Sequence, residues 1–124
     1  MTKQATDNRV ETKLTQEQIN ATPKEVLEHL FLLSEDRRNA YEESENGYRN
    51  KINRIENEVI PTMQNELANE TNPKYIRGYK ANIKHYMNLV AKCKSELKLI
   101  HENENTLWEN ALKISNKLGY GLEE

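Results

Sequence analysis

The side chains that could perform chemistry in this sequence are three histidines, one cysteine and scattered carboxylates. His29, His85 and His101 do not fall into an HExxH or any other metal-binding spacing. His85 and Cys93 lie eight positions apart, and their lateral positions on a helix do not converge. The sequence therefore predicts no metal site and no cofactor, and it favours solvated or half-buried histidines.

Catalysis has equally little support. Cys93 falls on an apolar period, which indicates a buried thiol, whereas a nucleophile needs an exposed, electropositive setting with a base nearby. Lys92 and Lys94 flank it in sequence but point elsewhere on a helix. The glycines are too scattered for a phosphate loop, and no carboxylates form a recognisable pair. We expect no enzymatic activity. An enzyme that assembles its catalytic carboxylates between subunits is a weaker hypothesis, and the sequence does not locate such a site.

Composition places the chain among helical proteins of one domain. Its 124 residues are 35% hydrophobic and 31% charged, which suits helices that bury one stripe, and the net charge of −2 gives no global field for nucleic acid. The N-terminus lacks a secretory signal, no apolar run spans a membrane, and the single cysteine fits a reducing compartment. We expect a cytoplasmic protein, or one in a host's cytoplasm, and the many asparagines suggest a phage, viral or mobile-element origin.

Two long helices account for most of the chain. Thr22-Pro23-Lys24-Glu25 is a start signal, and a first helix is predicted over about 22–69, with a kink near Pro61 and the option of a break near Ser34. Asn72-Pro73 marks the boundary to a second helix over 73–118, which ends at Gly119. Apolar residues alternate at spacings of three and four along this second helix, a coiled-coil pattern that only Glu104 interrupts.

The short connection between the helices predicts a long, antiparallel, coiled-coil-like hairpin. Residue i then faces about residue 142 − i, so 48–59 lies opposite 83–94. Glu104 falls opposite Arg37 or Arg38, and an ion pair is expected there. Basic residues dominate 73–98 and acidic ones 42–70, which favours the same pairing.

The ends of the chain are predicted to lie outside the hairpin domain of 22–118. Residues 1–21 read as a flexible N-terminal arm, although Thr15 begins a capping box, and residues 119–124 read as a C-terminal tail. Apolar residues off the main seam require a third layer. A short third helix made from 22–33 would supply it, as would assembly of two chains into a helical bundle, which we favour.

The function that this organisation favours is a non-enzymatic protein–protein interaction module, acting as a scaffold, a chaperone-like factor or an inhibitor. Its partners would be another protein and a second copy of the chain, with Tyr75 and Trp108 as anchors. The alternative is a nucleic-acid accessory protein that binds through the basic 74–98 face. The residues predicted to contact phosphates are Lys74, Arg77, Lys80, Lys84, Lys92 and Lys94.

Overall fold

The structure is a computed structural model that describes residues 10–120, and every regular element in that range is helical. The elements are α1 (Gln16–Asn20), α2 (Lys24–Arg54), a π-helical turn (Ile55–Val59), α3 (Ile60–Ala68) and α4 (Pro73–Leu118). The prediction of an all-α fold is confirmed for this range. No helix among the described residues is long and apolar enough to cross a membrane. The predicted arm at 1–9 and tail at 121–124 lie outside the described residues.

Helix α1 begins where the capping box was predicted. The Thr15 hydroxyl accepts a hydrogen bond from the Gln18 N–H at 3.1 Å, and the Gln18 side chain accepts one from the Thr15 N–H at 2.8 Å. These two bonds satisfy donors that the first turn of a helix leaves without partners. The element is one and a half turns long, so its stability depends on Ile19, which is 1% exposed.

Helix α2 is continuous through Ser34, which excludes the predicted alternative of a break there. The side chain at this position is small and buried, and the helix continues to Arg54. The irregularity occurs later, before Pro61. There the Ile60 N–H donates to the carbonyl of Ile55, five residues back. A proline in a regular α-helix clashes with the carbonyl four residues back, and the wider π-turn before Pro61 avoids this clash. A kink of the helix axis at Pro61 stays a prediction.

The boundary before α4 has the predicted chemistry. The Asn72 side-chain oxygen accepts a hydrogen bond from the Lys74 N–H at 2.9 Å, and Pro73 occupies the first helical position. At the other end Gly119 has a φ of +79°, and the Tyr120 N–H donates to the Ser115 carbonyl at 2.9 Å. The predicted stop at Gly119 is therefore confirmed, because a left-handed residue closes the helix.

The chain divides into two compact units. Of the described residues, 10–45 and 98–120 belong to unit 1, and 46–97 belong to unit 2. The core of unit 1 is built from Ile19, Leu27 and Ile114. The core of unit 2 is built from Ile52, Ile55, Val90 and Cys93. Each core therefore joins residues that precede the boundary at Asn72 to residues of α4.

The third apolar layer in unit 1 comes from a segment that the sequence analysis assigned to the arm. Leu14 and the buried Ile19 pack with Leu27 and Ile114. Leu14 and Ile19, within the described part of the predicted flexible arm, therefore pack against the helices. The physical reason is that Leu14 and Ile19 are apolar, and packing against Leu27 and Ile114 removes them from water.

Candidate functional site

Unit 2 carries a groove of about 410 Å³ between residues of the π-turn region and residues of α4. Ile60, Val90 and Ala91 give it an apolar lining. Met87 also lines it and is 57% exposed, so a large apolar side chain lies at the open side of the groove. Because methionine is flexible and polarisable, such a groove can adapt to the side chains of another protein.

The π-turn contributes directly to this groove. Glu56 lies within the turn and Ile60 follows it immediately, and both line the groove. A π-turn widens the helix locally and changes the direction of its side chains, which is why such turns are frequent at functional sites. Pro61 thus has a consequence beyond the fold, since the turn that accommodates it shapes this surface.

One acid and one base stand beside the groove. The Lys94 Nζ lies 3.1 Å from Glu56 Oε2, and the two side chains are 58% and 43% exposed. An ion pair this exposed contributes about 0–1 kcal/mol to stability. Exposed charges beside an apolar groove instead influence which partner binds and in which orientation.

The two aromatic anchors predicted from the sequence lie in different units. Tyr75 in unit 2 is 57% exposed on the first turn of α4, where it lines a cavity of about 320 Å³ together with Gly78 and Tyr79. Trp108 in unit 1 is half-buried, and the Arg38 guanidinium lies 4.6 Å from its ring centroid. Tyr75 therefore presents a free aromatic surface, whereas one face of Trp108 is engaged in a cation–π contact.

Tyr79 connects α3 to α4 near the boundary. Its hydroxyl donates to Glu66 Oε2 at 2.8 Å. This hydrogen bond raises the pKa of the Tyr79 hydroxyl, since the carboxylate stabilises the protonated form.

The six predicted phosphate contacts are all exposed on α4. Only Lys94 among them forms an ion pair within the described part of the chain. At about 100° per residue, the six positions spread over roughly 160° of the helix circumference. Arg77, Lys80 and Lys84 lie within about 60° of one another and within two turns along the helix. The structure thus forms a broad basic face rather than a focused strip.

A polar contact system in unit 1, which was not predicted from the sequence, holds residues 11–14 on α4. The Asn103 side-chain oxygen accepts from the Glu11 N–H, and the Asn110 side-chain oxygen accepts from the Leu14 N–H, both at 2.9 Å. The Asn110 amide also donates to the Thr12 carbonyl at 2.9 Å. Both asparagines are at most 4% exposed. Their spacing of seven on the apolar side of α4 was the available signal, because a buried amide requires a partner.

A side-chain cluster completes the attachment of this segment. The Glu11 carboxylate accepts hydrogen bonds from the Arg37 guanidinium and from the Tyr41 hydroxyl, the latter at 2.5 Å. Tyr41 is fully buried. Burial, together with the hydrogen bond to Glu11 and its negative charge, raises the pKa of Tyr41 to about 12. The Glu11 carboxylate thus supplies a partner for the buried Tyr41 hydroxyl and for the half-buried Arg37 guanidinium.

The predicted ion pair between Glu104 and Arg37 or Arg38 is wrong. Arg37 binds Glu11, and Arg38 lies over Trp108. Glu104 instead lies against His101, with 3.5 Å between Glu104 Oε1 and His101 Nδ1, and near Glu45. Burial, and secondly the negative charge of Glu45, raises the pKa of the Glu104 carboxyl. Residues 11–14 pack against the helices, which was not predicted, and this places the Glu11 carboxylate beside Arg37. Arg37 therefore binds Glu11 and not Glu104.

His101 therefore does have further potential ligands close to it. Its Nε2 lies 3.4 Å from Glu45 Oε2, and donor atoms of Glu45, His101 and Glu104 all lie within 4.8 Å of one another. Spacing along one helix could not reveal this group, because Glu45 belongs to α2 and the other two residues belong to α4. Cys93, in contrast, is 2% exposed in the core of unit 2, as its apolar period predicted.

Comparisons with known proteins give no relative for this chain: no protein-family model, curated protein or solved structure matches it. Any functional conclusion therefore depends on the groove, the basic face and the contacts described above.

Proposed function

We propose that this chain is a non-enzymatic protein–protein interaction module that binds partners through the groove beside the π-turn. The observation that carries the proposal is the exposure of Met87 over an apolar groove on an otherwise charged helix. Tyr75, exposed in the same unit, is a second anchor. Large flexible and aromatic side chains that lose water on docking contribute most of the free energy of protein association.

The scaffold for this module is inferred to be an antiparallel pairing of helices within each unit. Two contacts support that arrangement in unit 2. The Tyr79 hydroxyl binds Glu66, and Lys94 pairs with Glu56. As the residue number rises on α4 from 79 to 94, the number of the contact partner falls from 66 to 56, which is the pattern of antiparallel neighbours. Such a pairing holds the groove between two helices.

A second copy of the chain is the first partner we propose. The groove carries Glu56 and Lys94, one charge of each sign. A twofold axis would place the lysine of each copy beside the glutamate of the other, because the same surface is presented by both chains. Met87 of each copy would then enter the groove of its partner. The interface is thus self-complementary in charge and in apolar surface.

A photo-crosslinking amino acid at position 87 tests the location of the interface. The proposal predicts that irradiation of the purified protein yields a product of twice the chain mass. The matched control is the same amino acid at the exposed position 88, which points away from the groove and should give little product. Equal yields at both positions, or no dimeric product at position 87, would show that the groove does not bind a second copy.

Nucleic-acid binding is a second candidate, favoured by one observation. Lys74, Arg77, Lys80, Lys84 and Lys92 are exposed and make no ion pair within residues 10–120. Cations in this state are available for phosphates, and their binding would release condensed counterions. The net charge of −2 argues against a strong general affinity.

Electrophoretic mobility shifts at several salt concentrations test this candidate. Binding should weaken steeply with salt, and Lys80→Glu with Lys84→Glu should abolish it without loss of helicity. A matched control, Lys13→Glu, reverses an exposed charge in unit 1. Absence of any shift at low salt would end the nucleic-acid hypothesis and leave the interaction module unaffected.

A further inference from the structure

Unit 1 contains a three-residue cluster that none of the interactions proposed above uses. Glu45 comes from α2, whereas His101 and Glu104 are separated by one turn on α4. Two carboxylates therefore lie on either side of one imidazole. One potential ligand atom from each of the three residues lies within 4.8 Å of the other two. The side chains of Glu45 and Glu104 are 15% and 24% exposed, and that of His101 is 48% exposed.

One pair of these donors has the spacing of neighbouring ligands in a metal site. Zinc binds imidazole nitrogen and carboxylate oxygen at about 2.0–2.2 Å, so two neighbouring ligands of a tetrahedral ion are separated by roughly 3.3–3.5 Å. His101 Nε2 lies 3.4 Å from Glu45 Oε2, whereas Glu104 Oε1 lies 3.5 Å from the other ring nitrogen, Nδ1. Because one ion binds one ring nitrogen, the third donor, which lies within 4.8 Å of the other two, must move closer when the ion binds.

We propose that Glu45, His101 and Glu104 form a binding site for a divalent transition-metal ion, with Zn²⁺ the best match. The imidazole distinguishes this group from an ordinary acidic surface, because nitrogen ligands favour zinc and its neighbours over Mg²⁺ and Ca²⁺. Two carboxylates that approach each other at a partly buried position gain from a cation between them. The exposed side of His101 gives an entry path and leaves room for water as a fourth ligand.

The placement on two helices defines the role of such an ion. It would link α2 to α4 near the end of unit 1, where the polar residues around Glu104 interrupt the apolar period of α4. A metal that binds the folded chain more tightly than the unfolded chain raises the midpoint of thermal unfolding. The site is independent of the groove in unit 2, so failure of either proposal leaves the other intact.

Isothermal titration of tag-free, metal-free protein with zinc chloride tests the site. We expect one Zn²⁺ per chain with micromolar affinity, a higher unfolding temperature, and no displacement by millimolar Mg²⁺. His101→Ala and Glu104→Gln should each weaken binding by at least about tenfold, since outer-shell changes alone cost about 10–100-fold. The matched control is His29→Ala, which removes an exposed histidine of the same unit and should leave binding unchanged.

Three results would overturn the proposal. The wild-type protein could fail to bind Zn²⁺ at 100-fold excess, or His101→Ala could bind as tightly as wild type. Equal affinity for Mg²⁺ and Zn²⁺ would show a general acidic surface instead. Circular dichroism of each variant checks that its helices are intact, and Glu104→Gln preserves the shape of the side chain, so a folding defect would not be mistaken for loss of a ligand.

Discussion

The Tyr41 hydroxyl donates a 2.5 Å hydrogen bond to the Glu11 carboxylate, which also binds the Arg37 guanidinium. This contact joins residues thirty positions apart and attaches the segment before α1 to α2. It also explains why the segment around Glu11, which was predicted to belong to a flexible arm, packs against α2. Charged hydrogen bonds of this kind are worth about 1.5–3 kcal/mol when they replace water.

Glu11→Ala should therefore destabilise the protein by about 2–3 kcal/mol, because Arg37 and the buried Tyr41 lose their common partner. Urea denaturation followed by circular dichroism measures the change. The control, Glu43→Ala, removes an exposed carboxylate of α2 and should change the free energy of unfolding by no more than about 0.5 kcal/mol. Equal, small effects of both substitutions would contradict the assignment.

Stability should also fall at high pH because of Tyr41. Its pKa is about 12 in the folded protein, above the value of about 10 for an unperturbed tyrosine. The unfolded chain therefore loses this proton first, so the stabilisation is present below about pH 10 and is lost as the pH rises towards 12. Denaturation curves at pH 8, 10 and 11 should show a smaller loss for Tyr41→Phe than for wild type. The control Tyr75→Phe, at an exposed position, should follow wild type.

Asn110 should control the order of the segment before α1. Asn110→Ala removes the acceptor for the Leu14 N–H and the donor to the Thr12 carbonyl. We expect hydrogen exchange at Leu14 to accelerate by about 10–100-fold, since each lost buried bond costs about 1–2 kcal/mol. Asn105→Ala, at an exposed position on the same helix, should leave that exchange rate unchanged. Unchanged protection in Asn110→Ala would show that other contacts hold the segment.

Cys93 should be chemically silent in the native protein. The thiol is 2% exposed in the core of unit 2, where a reagent cannot reach it. Ellman's reagent should react slowly under native conditions and completely in concentrated guanidinium chloride. Rapid reaction of the native protein would mean that unit 2 opens far more readily than its packing implies.

Much of the architecture could be predicted because it depends on local chemistry. The Thr15 capping box, the proline after Asn72 and the left-handed Gly119 each satisfy backbone groups within a few residues, so short motifs identify them. An irregular helix near Pro61 could also be predicted from the proline itself. That the irregularity is a π-turn depends on the surrounding packing. These features required no knowledge of distant parts of the chain.

The contacts between distant polar residues could not be predicted. Glu11 binds Arg37, one of the two arginines predicted to face Glu104, and this pairing depends on how closely the segment before α1 approaches α2. Likewise, His101 has its nearest carboxylates on two different helices. Periodicity along one helix describes its apolar face, but it does not specify which polar side chains meet across a pairing.

Charge reversal offers a test of the proposed self-complementary interface. Glu56→Lys alone should weaken self-association, since it would place two lysines together in each half of the interface. Adding Lys94→Glu should restore the association, because opposite signs would again face each other. The rate of sedimentation at fixed concentration measures both effects. A double variant as weak as the single one would argue against reciprocal pairing.

Sedimentation equilibrium of the wild-type chain and of Met87→Glu shows whether the groove binds a second copy. We expect a dimer for the wild type that dissociates at low concentration, and a monomer for Met87→Glu, because a charge would be buried in the apolar groove. The control Asn88→Glu, at the neighbouring exposed position, should remain a dimer. A wild type that is monomeric up to the highest measurable concentration, or a Met87→Glu variant that associates as strongly as the wild type, would contradict this expectation.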